Sequence, residues 1–117
     1  MLVGTYTYSQ YGTWHVTLRS DGTYSQWNDS GQLDMTGHYG NHGHLAVFSD
    51  QATGNTHGNA CPAPGVYKWR LARTKLVMSV KQDDCTVGRI EQWTAGWTKV
   101  SADSLKDAPT LDEAMQP

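Results

Sequence analysis

From Thr13 to Ala95 the chain alternates apolar and polar residues in short runs broken by turn residues, and nowhere in that span does it carry the 3.6-residue apolar period of a helix. A period of two places successive side chains on opposite faces of a strand. In Thr13–Arg19, for example, Trp14, Val16 and Leu18 share one face and His15, Thr17 and Arg19 the other. The same reading predicts strands at Val3–Tyr8, Thr13–Arg19, Thr23–Trp27, Leu33–Tyr39, His44–Ser49, Val66–Arg73, Lys75–Lys81 and Arg89–Ala95, with Trp97 close behind. Ser20-Asp21-Gly22, Asn28-Asp29-Ser30-Gly31 and Gly40–Gly43 are tight-turn sequences, and Asp50–Gly65, with Gly54, Gly58, Pro62 and Pro64, is a long loop.

Tight turns make sequential strands antiparallel neighbours. A meander of about eight strands with one apolar face removes its open edges by closing on itself. The predicted fold is therefore all-β: a small closed antiparallel up-and-down barrel over residues 1–100, with an open two-sheet sandwich as the alternative. An eight-stranded barrel has an interior that side chains fill, or that holds one small ligand. At 117 residues the chain makes one domain. Residues 101–117 are a polar C-terminal tail, in which Thr110-Leu111-Asp112-Glu113 fits a capping box that could start one helical turn.

Nine Lys and Arg against eleven Asp and Glu leave a net charge of −2. That balance argues against the broad basic field of a nucleic-acid binder, so no nucleic-acid partner is expected. No apolar run approaches the roughly 20 residues of a membrane span. Cys61 and Cys85 both stand in loop contexts. They are read as a disulfide closing a loop of about 25 residues, worth roughly 3.5 kcal/mol in a chain-entropy account, with two reduced buried thiols as the alternative. The disulfide points to an exported protein and the thiols to a cytoplasmic one.

Gly12-Thr13-Trp14 on an early strand matches the G-x-W signature of lipocalins. Together with Asp21-Gly22-Thr23-Tyr24, Gly37-His38-Tyr39, Gly65-Val66-Tyr67-Lys68-Trp69, Asp84-Cys85 and Arg89, it makes residues 4–100 resemble small bacterial lipocalin-like, calycin-type barrel domains. The chain is shorter than a typical lipocalin, and that family's long C-terminal helix is expected to be missing or shrunk to the tail. The resemblance implies a barrel that binds a small, mostly apolar molecule. It also implies that Arg89 packs over Trp14 at one barrel end as a structural cation–π pair. Some barrels of this broader class have become cyclases or isomerases that shape a polyene or polyketide. Fold alone does not choose between binder and enzyme.

Strand parity then nominates the interior. If Trp14 faces inward, so do Val16, Leu18, Tyr24, Met35, Tyr39, Val47, Tyr67, Trp69, Leu71, Met78 and Val80, while Trp27, Phe48 and Trp93 have no clear parity. Of these, Tyr24, Met35, Tyr39, Tyr67, Trp69 and Met78 are the candidate ligand-binding residues, because aromatic and thioether walls suit a flat apolar guest. The competing reading is that they simply fill the barrel. His38, His42 and His44 are read as solvated turn residues rather than a metal site, and neither a metal nor a cofactor is expected. Arg89 and Glu91 would share one face of the last strand, with Glu91, a Tyr or a His as the acid–base group in an enzyme. Hydrolase and phosphate-loop motifs are absent from the sequence. The expected function is binding of a small hydrophobic or aromatic molecule in the barrel. A cyclase or isomerase is the alternative, and an adhesion or inhibitor module a third class.

Overall fold

The computed structural model describes residues 2–8, 13–52, 63–85 and 89–102. Eight strands run in chain order: β1 (Gly4–Tyr8), β2 (Trp14–Leu18), β3 (Thr23–Asn28), β4 (Leu33–His42), β5 (Leu45–Ala52), β6 (Gly65–Ala72), β7 (Lys75–Gln82) and β8 (Trp97–Ser101). Among the described residues one helix, α1 (Arg89–Thr94), lies between β7 and β8. Each strand pairs antiparallel with the next, and β8 pairs back onto β1, so the sheet is a closed barrel. No helix among the described residues is long and apolar enough to cross a membrane.

Register follows the turns. Gly22 takes φ 86° at the β2–β3 connection and Gly43 takes φ 64° at the β4–β5 connection, a region in which glycine avoids a β-carbon clash. Cross-strand pairs then line up Tyr6, Val16, Gln26 and Met35 in one row, and Leu18, Tyr24, Gly37 and Asp50 in the next. The buried apolar core contains Tyr6, Val16, Leu18, Tyr24, Met35, Phe48, Tyr67, Leu76, Met78, Trp93 and Trp97.

Several expectations are corrected. Arg89–Ala95 is not the eighth strand: Arg89–Thr94 is helical and the strand is Trp97–Ser101. A six-residue helix shows fewer than two turns of pattern, and Ile90, Trp93 and Thr94 favour strands locally, so packing decided it. Helical spacing puts Arg89 and Trp93, four apart, together on the buried side and leaves Glu91 exposed. Gly40–Gly43 is not a turn, because β4 continues to His42 and the reversal falls at Gly43–His44. The parity of β5 is also reversed: Ala46 and Phe48 are buried, and Val47 is not. Val80, expected inside, is 43% exposed beside a register shift in the β6–β7 ladder. The proposed Cys61–Cys85 bridge involves Cys61, which lies outside the described residues, as do Gly12 of the G-x-W signature, His57 and residues 103–117 of the tail.

Candidate functional site

The end of the barrel near α1 is closed by a buried ionic cluster. Arg89 donates from Nε to Asp83 Oδ2 at 2.8 Å and from Nη2 to Asp83 Oδ1 at 2.6 Å, a two-pronged pair that matches the planar guanidinium to a carboxylate. Its Nη1 lies 3.7 Å from Asp50 Oδ2. Tyr24 donates its hydroxyl to Asp50 and Tyr67 donates to Asp83 in short hydrogen bonds, and the Cys85 N–H reaches Asp83 Oδ1 at 2.8 Å. The side chains of Arg89, Asp50 and Asp83 are at most 2% exposed. Charges this deep persist only when paired and hydrogen-bonded.

Two glycines make room for the cluster. Gly37 stands in register between Tyr24 and Asp50. A β-carbon there would sit 2.6 Å from the Tyr24 ring, so only glycine lets that ring cross the strand to reach Asp50. Gly65 does the same for the second pair: a β-carbon would fall 2.7 Å from Asp83 Cγ and 3.0 Å from Arg89 Nη2.

Electrostatics follow from this wiring. Burial works to raise the Asp83 pKa, but hydrogen bonds from Arg89, Tyr67 and the Cys85 N–H outweigh it and hold the carboxyl below its ordinary value. The Tyr24 and Tyr67 phenols are pushed well up, first by burial and then by their aspartate neighbours. For Arg89, burial works downward, but its two aspartates overcome it and raise the guanidinium further. Asp83 is thus held as the carboxylate and both phenols stay protonated, and one guanidinium serves both aspartates.

Above the cluster the aromatic side chains pack on one another. Trp93 stacks on Phe48 with centroids 3.9 Å apart and meets Tyr24 edge-on at 5.3 Å, while Phe48 touches Tyr67 edge-on at 5.9 Å. All four side chains are fully buried. Gln92 of α1 donates to Gln26, which in turn donates to Asp34 Oδ2 at 3.2 Å, pinning the helix to β3.

The opposite end, where the Gly22, Gly43 and Arg73–Thr74 turns gather, is more open. There Tyr39, Trp69 and Leu71 are half-buried against the core. Trp69 donates its indole N–H to Asn41 Oδ1 at 2.9 Å, and its ring lies 6.1 Å from His44. Tyr39 donates to the Arg19 carbonyl at 2.5 Å and stacks on Phe48 at 6.3 Å. Met78, paired with Trp69 across the β6–β7 ladder, is buried beneath.

The six nominated ligand residues therefore fall into separate places. Tyr24 and Tyr67 belong to the ionic cluster, Met35 lies in the core, and Tyr39, Trp69 and Met78 gather at the turn end. Trp14 is half-buried at the edge of the core, and Arg89 has its guanidinium on Asp83 and Asp50. Sequence reasoning missed Asp50, Asp83, Phe48 and Trp93. The signal for the first two was a glycine in a neighbouring strand, Gly37 and Gly65, where a strand otherwise favours a side chain. Among the described residues, no group of three His, Cys, Asp or Glu is placed to hold a metal ion.

No protein-family model matches the chain, and comparison with curated proteins and with solved structures returns no match. The closed eight-stranded antiparallel barrel is consistent with a lipocalin-like fold.

Proposed function

We propose that the protein is a binding barrel of lipocalin-like type that takes a small, flat, mostly apolar molecule at its turn end, against Tyr39, Trp69, Leu71 and Met78. The observation that carries this is the half-buried Trp69: its indole is held by Asn41 while its face remains partly open above a buried aromatic and thioether floor. A ring oriented in advance costs a ligand little ordering entropy, and flat guests gain from stacking on it. Support for binding over catalysis comes from the interior polar groups. Asp50, Asp83, Tyr24, Tyr67 and Arg89 are engaged with one another, and Glu91 is exposed on α1. A general acid or base must instead be within reach of a reacting atom.

The test is a titration of the purified protein with a panel of flat apolar dyes, followed by tryptophan fluorescence. Binding with quenching is expected, and Trp69→Ala should weaken it by about 1–3 kcal/mol. Unchanged affinity in Trp69→Ala, with the fold intact by circular dichroism, would place the ligand elsewhere. No binding by any dye would remove the proposal.

A further inference from the structure

The modest net charge hides a strong local asymmetry. Residues 65–82, the whole β6–β7 hairpin, carry Lys68, Arg70, Arg73, Lys75 and Lys81, five of the nine Lys and Arg, and none of the eleven Asp and Glu. All five are exposed. Lys68, Arg70, Arg73 and Lys81 make no ion pair with a described residue. The ladder orders them: Lys68 lies opposite Ser79, Arg70 opposite Val77, and Lys75 opposite Ala72, with Lys81 two residues beyond Ser79 on the same strand. From Lys75 through Arg70 to Lys68 the ladder thus offers one cation at each two-residue step, a row of about 13 Å at strand rise, and Lys81 stands past its end at the register shift. A shallow groove of about 230 Å³, lined by Lys68, Trp69, Arg70, Val77 and Ser79, runs through its middle.

We propose that this outer hairpin face binds a linear acidic polysaccharide, with sulfate or carboxylate groups on Lys81, Lys68, Arg70 and Lys75 and the sugar backbone over Ser79 and Val77. Regularly spaced cations on one face fit a chain with regularly spaced anions, and a row without ion-pair partners focuses a positive field along it, with the exposed Asp84 beyond its Lys81 end. The face suits a polysaccharide better than single-stranded nucleic acid. Stacking of successive bases needs a series of outward aromatic rings, whereas this hairpin has one half-buried ring, Trp69, and Tyr67 is fully buried. The groove shares Trp69 with the ligand end proposed above, and Lys68→Gln/Arg70→Gln, which leave that ring in place, separate the two proposals.

The experiment is calorimetric titration of the full chain with a heparin octasaccharide at several salt concentrations. A (dT)12 oligonucleotide and vesicles containing phosphatidylserine serve as competing polyanions. Heparin should bind with an affinity that falls steeply with salt, and Lys68→Gln/Arg70→Gln should weaken it roughly tenfold or more, as removal of two phosphate-type contacts does in other polyanion complexes. Both side chains are exposed, so melting should be unchanged. A second pair, Lys75→Gln/Lys81→Gln, should weaken binding in the same direction. Absence of heparin binding, binding by both double variants as tight as by the parent, or tighter binding of the oligonucleotide or the vesicles would each overturn the proposal.

Discussion

Gly65 lies so close to Asp83 that a β-carbon at that position would come within 2.7 Å of the carboxylate carbon. The strand is bare at the one point where a buried carboxylate, already fixed by Arg89 and Tyr67, must pass. Gly65→Ala should therefore destabilise the fold by about 1–3 kcal/mol through overpacking. Gly40→Ala, where an added methyl meets nothing within 4 Å, should stay within roughly 0.5 kcal/mol of the parent. Urea midpoints of the two variants make the comparison; equal midpoints would show that the Asp83 contact yields freely.

Arg89 faces two aspartates whose side chains are at most 2% exposed. Arg89→Ala should cost about 3–5 kcal/mol, the range seen when one partner of a buried ion pair is lost. The loss should be largely recovered when Asp50→Asn and Asp83→Asn are added, because no uncompensated charge then remains. Thermal melts of the single and triple variants check this; a single variant losing less than 1 kcal/mol would show that water reaches the cluster.

Stability should be flat in the middle of the pH range and fall at both ends. The folded Asp83 pKa is held below its unfolded value, so its contribution is complete above the unfolded value of about 3.9 and is lost as pH falls toward the folded one. Tyr24 and Tyr67 have raised pKa values, so their contribution is complete below the unfolded value of about 10 and is lost as pH rises beyond it. Denaturant midpoints from pH 2 to 11 test both limbs. Asp83→Asn should flatten the acid limb and Tyr67→Phe the alkaline one.

Trp93 and Trp97 are both fully buried, but only one has its indole N–H satisfied. Trp97 donates to the Gln92 carbonyl at 2.8 Å, whereas Trp93 Nε1 has no hydrogen-bond partner among the described residues. Trp97→Phe should therefore cost more than Trp93→Phe by about 1 kcal/mol, since it strands a carbonyl while the other change removes an unmet donor. The order of the two melting temperatures decides it, and the reverse order would contradict it.

The sequence by itself determined the repeating part of this protein. Alternation in Trp14, Val16 and Leu18, and turn residues such as Gly22, are local signals, because strand parity and turn conformation depend on adjacent residues. They sufficed for an antiparallel meander that closes, and for Tyr24, Tyr67 and Met78 as interior residues. What only the tertiary structure decided involves partners far apart in the chain. Tyr24 meets Asp50, 26 residues away, because the β3–β4–β5 register brings them across Gly37. Arg89–Thr94 became a helix because the barrel end offers Arg89 the carboxylates of Asp83 and Asp50 and offers Trp93 the face of Phe48. Helical spacing of four residues sets both side chains on one side, which a strand of the same sequence does not do.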